Sequence, residues 1–315
     1  MNSFKNTIEV INSSRYILIL THLNPDADTI SSALALSNYC FKNKIKHKVF
    51  NSSDQLSHPL NFLPRFDKIT TQIPKFYDLV IYVDCADEQR VGIDIVKGIK
   101  VINIDHHQSN TNFGDINIVD FNKASTAEVV YKLFEENNIQ ISKDIAKCLY
   151  VGIYDDSIAF TTPRTDSVTF EVVNKLVRTG ISPSDIANKL LKRDSLARYR
   201  IMPKILSTLE LYNEGRIATV YLENLWLKQT GAVVSECDDV VNMILNISVV
   251  EVVAYFRVKD GKTRVSLRSK NDIDVSLIAQ NLNGGGHKNA AGLSVDDINI
   301  LNAKEIVVTL IQSYI

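Results

Sequence analysis

An excess of charge of either sign is missing from this chain. The 35 Lys and Arg residues stand against 36 Asp and Glu, a net charge of −1. No global basic field is present to hold a long nucleic acid through its phosphates. Any polyanionic ligand must be met at a local site, and a short ligand is expected. Paired cysteines are missing too. Cys40, Cys85, Cys148 and Cys237 are far apart and form no CxxC. That excludes a zinc knuckle or a disulfide framework and fits a reducing compartment. No apolar run approaches the ~20 residues of a membrane helix, and the opening MNSFKNTIEV has no apolar signal core. The expectation is a cytoplasmic protein with no membrane partner. Internal repeats and low-complexity tracts are also lacking. What remains is an ordinary globular composition, 45% hydrophobic and 23% charged over 315 residues, enough for about two domains with real cores.

The first half alternates buried strands with helices. Tyr16–Thr21, YILILT, is a continuous apolar run of the kind buried on both faces of a sheet. Further strands are expected at Lys46–Phe50, Leu79–Val83 and Lys100–Ile104. Helices are expected at Thr29–Lys42, Ala124–Glu136 and Lys143–Ile153, with a polar loop over Asn51–Pro64. This order implies an α/β fold with a doubly wound parallel sheet. A mostly helical stretch from Thr165 to about Tyr212, with Pro203 as a kink, reads as a connector. Its Lys192-Arg193 and Arg198–Arg200 positions read as a solvated helix face. The domain expectation is a catalytic metal-binding domain at 1–190, a helical linker at 191–213 and a smaller α+β substrate-binding domain at 214–315, with a cleft between the domains. In the last domain, strands fit Ile217–Leu222, Val249–Val258 and Thr263–Ser269, the final two joined by a hairpin turn at Lys259-Asp260-Gly261. Helices fit Asp238–Leu245, Val275–Asn281 and Ala303–Tyr314.

Three strands run straight into chemistry: ILILT into His22, LVIYV into Asp84 and VINI into Asp105. In open α/β sheets ligands bind beyond the carboxyl ends of the strands. His22, Asp26, Asp28, Asp84, Asp105, His106, His107 and Asp156 are therefore expected on one rim. So many carboxylates cannot all stay ionised side by side without compensation. Divalent cations supply it, and mixed carboxylate and imidazole donors suit Mn²⁺ best, then Mg²⁺, Co²⁺ or Zn²⁺. A carboxylate shared by two ions gives a two-metal centre for displacement at phosphorus. Taken alone, Asp26 and Asp28 read equally well as helix caps. Cys85 reads as a small buried apolar residue.

Downstream, Asn283-Gly284-Gly285-Gly286-His287-Lys288 is followed by Asn289-Ala290-Ala291-Gly292. Consecutive glycines expose backbone amides, and an anion-binding nest is expected there, with His287 and Lys288 as cationic donors. Arg268, at the end of VSLRS, offers a bidentate grip on phosphate.

Together these motifs resemble the DHH phosphoesterase superfamily in its DHH–DHHA1 branch. The segment from His22 to Asp28, Asp84-Cys85-Ala86-Asp87, Asp105-His106-His107, the stretch 152–160 and the GGGHxxAAG of 284–292 match the family's motifs in order. The resemblance implies one metal on His22, Asp26 and Asp84 and another on Asp28, Asp84, His106 and Asp156. It implies that Asp105 orients a neighbouring histidine, that His107 sits beside the scissile phosphate, and that Arg268, Gly285, Gly286 and His287 grip the substrate's other phosphate. Catalytic roles would thus fall on Asp84, Asp105 and His107. The family's fourth motif reads Asp-Thr-Gly, but here it is Asp156-Ser157-Ile158. Serine keeps the hydroxyl, whereas isoleucine for glycine alters the local backbone.

The implied activity is hydrolysis of short oligoribonucleotides (nanoRNA) to 5′-mononucleotides and of 3′-phosphoadenosine 5′-phosphate (pAp) to AMP, by a possible homodimer. The alternative within the family is a phosphodiesterase for c-di-AMP or its linear product pApA. Inorganic pyrophosphatase and a non-catalytic nucleotide sensor stand further off.

Overall fold

The computed structural model describes residues 3–53, 56, 60–96, 98–192 and 194–315. Arg193 and most of the tip of the Asn51–Pro64 loop lie outside them. The chain divides into two compact units, Met1–Arg193 and Asp194–Ile315. No helix among the described residues is long and apolar enough to cross a membrane.

The first unit is built on six parallel strands: β1 (Ile17–Thr21), β2 (His47–Phe50), β3 (Ile69–Thr70), β4 (Leu79–Val83), β5 (Lys100–Asp105) and β6 (Ile116–Val119). Their order is β3-β2-β1-β4-β5-β6. The chain winds outward in one direction from β1 and in the other from β4, so the switch point lies between these two central, fully buried strands. Their alternate residues enter two cores. Ile17, Ile19, Ile81 and Val83 pack with the helices, and Leu18, Leu20, Val80 and Tyr82 pack with Cys85, Val91 and neighbouring loops. The helices are α1 (Ser3–Ser13), α2 (Ala27–Lys42), α3 (Thr126–Glu136), α4 (Lys143–Asp156), α5 (Ser167–Val177) and α6 (Pro183–Leu191). Helix α1 and strands β3 and β6 were not expected from sequence, although Phe4, Ile8 and Ile11 keep the i, i+4, i+7 spacing of a buried helix face.

The second unit has the strands β7 (Glu210–Tyr212), β8 (Ile217–Leu222), β9 (Val252–Lys259), β10 (Lys262–Ser269), β11 (Gly285–His287) and β12 (Ala290–Val295). Their order is β11-β12-β10-β9-β8-β7, with β8 and β9 parallel and the other pairs antiparallel. Asp260 and Gly261 both have positive φ (53° and 74°), the two-residue turn that suits a twisted hairpin. One core holds α7 (Leu196–Leu206), α8 (Asn224–Thr230) and α9 (Val240–Leu245) against the sheet; the other holds α10 (Val275–Gln280) and α11 (Ile300–Gln312).

The expected connector is not a free linker. Ile201, Met202 and Ile205 of α7 belong to a core of the second unit, and Glu210–Tyr212 is a strand of its sheet. Arg198 departs from the expected solvated face as well. Its guanidinium grips both carboxylate oxygens of Asp239 and donates to the Glu236 carbonyl at 2.6 Å, tying α7 to the start of α9.

Candidate metal centre

His22 follows β1 directly. Its Nδ1 lies 2.9 Å from the Leu23 carbonyl oxygen. Donation there fixes the tautomer and leaves Nε2 free as a ligand. Asp26 has two roles, one for each oxygen. Oδ1 accepts from the Thr29 amide and hydroxyl, both at 2.9 Å, and so caps α2. Oδ2 stands 3.7 Å from His22 Nε2. Because of this cap, α2 begins at Ala27, two residues before the expected Thr29. Asp28 is buried in the first turn. Its carboxylate accepts from the amides of Thr126 (2.6 Å) and Ala127 (2.9 Å) and from the Ser32 hydroxyl (3.1 Å). It therefore sits on the N-terminus of α3, where free amides favour an anion.

Asp84 directly follows β4 in a left-handed conformation, φ 61°. Its amide still bonds the Ile104 carbonyl at 2.9 Å, while its side chain leaves the sheet. The carboxylate takes hydroxyls from Thr29 (2.5 Å) and Thr126 (2.8 Å). Three imidazoles surround it: His22 Nε2 and His107 Nδ1 at 3.6 Å and His106 Nε2 at 3.8 Å. One carboxylate thus faces histidines from two strand ends.

Asp105 is fully buried and organises the residues after it. Oδ1 accepts from the His106 amide (2.8 Å) and His107 Nδ1 (2.7 Å), and Oδ2 from Asn110 (2.5 Å). His106 Nδ1 lies 3.2 Å from the Lys123 carbonyl, so its Nε2 is also the free nitrogen. That nitrogen is 3.3 Å from Asp156 Oδ2. Asp156 corrects one expectation: it arrives not from a strand end but from the last turn of α4, which runs three residues beyond the expected Ile153. Asp155 beside it is exposed and makes no such approach. Gly152 allows α4 to come this close, because a Cβ there would meet Asp28 Oδ1 and Ala127 Cβ at 2.6 Å.

The electrostatics are those of crowded acids. Burial and then the carboxylates of Asp84, Asp156 and Asp26 push Asp28 well above the usual carboxylate range. Burial raises Asp156 to about 6 against the pull of His106. Burial disfavours a charged His22, but Asp26 and Asp84 outweigh it and carry its pKa up to about 10. Burial likewise opposes ionisation of Asp84, yet His22, His107 and Thr29 hold it well below the ordinary range. His107 is raised, first by its bond to Asp105. Protons thus supply part of the compensation that cations would supply.

Three sets of donor atoms each lie within 4.8 Å of one another: His22, Asp26 and Asp84; Asp28, His106 and Asp156; and Asp84, His106 and His107. Hard carboxylate oxygens with neutral imidazole nitrogens, both ring tautomers fixed by backbone carbonyls, fit divalent cations. Sequence reasoning missed Thr29 and Thr126, whose hydroxyls hold Asp84, and Asn110, which holds Asp105. The Thr126 position had a signal: Ser125 and Glu128 form the S-x-x-E pattern of a helix start.

Arg268, Gly285, Gly286 and His287 all lie in the second unit. There the expected nest is replaced by an extended edge strand. Gly285, Gly286 and His287 pair with Gly292, Ala291 and Ala290 of β12. A Cβ at Gly284 or Gly286 would come within 2.4 Å of the Gly292 or Ala290 carbonyl, so these two glycines serve close packing on β12. Gly285 faces open space and His287 is exposed. Lys288 is engaged with Asp272 at 2.9 Å, and Arg268 donates to the Leu267 carbonyl at 3.0 Å.

Comparison with known proteins agrees with this architecture. Residues 16–153 match the model of the DHH family, N-terminal domain, and residues 215–315 that of the DHHA1 domain. A bifunctional oligoribonuclease and PAP phosphatase NrnA of Thermus thermophilus is 29% identical over 94% of this chain and 89% of its own length. The protein of the same name from Bacillus subtilis is 27% identical over 89% of each. The cyclic-di-AMP phosphodiesterase PdeA of Listeria monocytogenes is 24% identical over 97% of this chain, which spans only 49% of it. Among solved structures, an exopolyphosphatase-related protein of Bacteroides fragilis shares the fold with a TM-score of 0.88 at 24% identity, covering 99% of this chain and 95% of its own.

Proposed function

The chain belongs to the DHH family, a DHH domain followed by a DHHA1 domain, and from that premise we propose that it hydrolyses short oligoribonucleotides to 5′-mononucleotides and pAp to AMP. The observation that carries the reading is the convergence of His22, Asp26, Asp28, Asp84, His106 and Asp156, with both imidazoles locked so that Nε2 faces the carboxylates. Two NrnA relatives, aligned over most of both chains and named for these two activities, support the choice of substrates.

One cation would be held by His22, Asp26 and Asp84, and another by Asp28, Asp84, His106 and Asp156, with Asp84 serving both. Mn²⁺ is the ion this donor set suits best, ahead of Mg²⁺, Co²⁺ and Zn²⁺. Two such ions, when bound, activate water and stabilise the attacking and leaving oxygens at phosphorus. The chain's own residues do the rest. Thr29 and Thr126 hold the Asp84 carboxylate in place, and the α3 amides hold Asp28. Asp105 orients His107 and favours its protonated form, so His107 donates a hydrogen bond or a proton to the reacting phosphate. Arg268, Gly285, Gly286 and His287 are assigned to a second phosphate of the substrate.

A substrate panel with Mn²⁺ tests this: pAp, pApA, a 3-mer, a 24-mer, c-di-AMP and pyrophosphate. Release of AMP from pAp and of mononucleotides from the 3-mer is expected to be fastest. Faster turnover of c-di-AMP than of either would move the assignment to a cyclic-dinucleotide phosphodiesterase, the activity for which the Listeria relative is named. No release from any member would leave a nucleotide sensor.

A further inference from the structure

Arg257 of β9 and Arg264 of β10 stand directly opposite each other across the hairpin. Like charges in register repel, and such a pair costs stability unless something compensates it. Among the described residues neither forms an ion pair with a carboxylate. Arg264 donates instead to the Ser294 hydroxyl at 2.6 Å. The field of Arg257 reaches Asp238, whose carboxyl is raised by burial and drawn back by Arg257 and Arg268, but Asp238 does not line the space in front of the pair. That space is a cavity of about 460 Å³, lined among others by Arg257, Lys259, Arg264, Ser266, Asn283 and Ser294. Its wall carries three cations, several neutral hydrogen-bonding groups and no acid.

Strand alternation relates this cavity to Arg268. Thr263, Val265 and Leu267 of β10 are buried, and Val265 and Leu267 enter the core under α10 and α11. Arg264, Ser266 and Arg268 therefore share the opposite face. Opposite Ser266 on β12 is Gly292, which has no side chain to obstruct that face. Arg268 lies four residue steps along β10 from Arg264, roughly 13 Å at ~3.3 Å per residue. A phosphate at Arg268 and an anion at the Arg257/Arg264 pair are thus two different positions on one sheet face.

We propose that this cavity is a phosphate-backbone subsite that engages oligoribonucleotides longer than a dinucleotide, one or more phosphates beyond the one held at Arg268. The inference rests on the proposed substrate class. The like-charge pair is then compensated by the RNA backbone when a long enough substrate is bound.

The test uses the full chain with Mn²⁺ and the double variant R257A/R264A, with R257K/R264K as the charge-preserving control. Turnover is measured on pAp, a dinucleotide and a 5-mer at two salt concentrations. The inference predicts unchanged kcat/KM on pAp and the dinucleotide. On the 5-mer the alanine variant loses roughly 10-fold in kcat/KM and shows a shallower salt dependence, while the lysine variant lies in between. An equal loss on every substrate, or none on the 5-mer, overturns it. Inorganic triphosphate is the control for a free polyphosphate: inhibition of pAp turnover that disappears in the alanine variant, with 5-mer turnover intact, overturns the RNA assignment. If the parent turns over none of the substrates, the reading of the reaction fails. Binding of a labelled 5-mer to the metal-free chain, tight for the parent and weakened roughly 10-fold in the alanine variant, then decides the subsite on its own.

Discussion

Ile158 occupies the place where the family motif has glycine, and the backbone shows the reason for that glycine. Ile158, Ala159 and Phe160 form a left-handed run with φ of 48°, 55° and 67°. For a β-branched residue this conformation costs about 1–2 kcal/mol. The side chain is 69% exposed, so it recovers little by packing. Ile158→Gly is therefore expected to raise the melting temperature of the first unit by about 2–4 °C, read by circular dichroism; an unchanged or lower value would show that the turn is not strained. At the same scale, three of the proposed ligands hold their protons more tightly than usual. Asp28 and Asp156 are raised, the latter to about 6, and His22 is raised to about 10. All three must lose a proton to ligate, so cation binding releases protons. Raising pH from about 5 to about 8 should tighten Mn²⁺ binding, and calorimetry in buffers of different ionisation enthalpy measures the protons released. A pH-independent affinity would contradict the proposed ligand set.

Among the elements, what could be read in advance was what periodicity and end signals encode. The apolar runs ILILT and LVIYV are buried strands as expected, and Asp260-Gly261 makes the expected turn. Element ends were harder: the cap of α2 is local but competed with a ligand reading of the same residue, and the end of α4 depends on a partner distant in sequence. Helix α2 starts early because Asp26 caps it, and α4 runs on to Asp156 because Gly152 lets it lie against Asp28. Neither effect leaves a periodic trace. In the glycine triplet composition signals freedom, whereas β12 turns two of these glycines into packing requirements. The α4 contact makes a prediction. In Gly152→Ala the new methyl must displace the Asp28 carboxylate or the helix. Mn²⁺ half-saturation in turnover should rise by about 10- to 100-fold, the usual loss when support around a ligand is disturbed. Parent-like Mn²⁺ dependence would mean that the site absorbs the shift.

For the molecule as a whole, the division of labour follows the division of cores. Every ligand candidate lies in the first unit, on the ends of β1, β4 and β5 and on α2 and α4, while the Arg268 and glycine motif lies in the second. The order of motifs along the chain makes that division readable from sequence; how each side chain is held depends on residues outside the motifs, such as Thr126 on Asp84 and Asn110 on Asp105. The proposed centre depends on one carboxylate, Asp84, shared between two cations. Its most direct test is the Mn²⁺ stoichiometry of the parent and Asp84→Ala, measured by isothermal titration calorimetry on folded protein. Two ions per parent chain and at most one in the variant are expected, together with loss of pAp turnover. A single ion in the parent, or two retained in Asp84→Ala with activity intact, would contradict it.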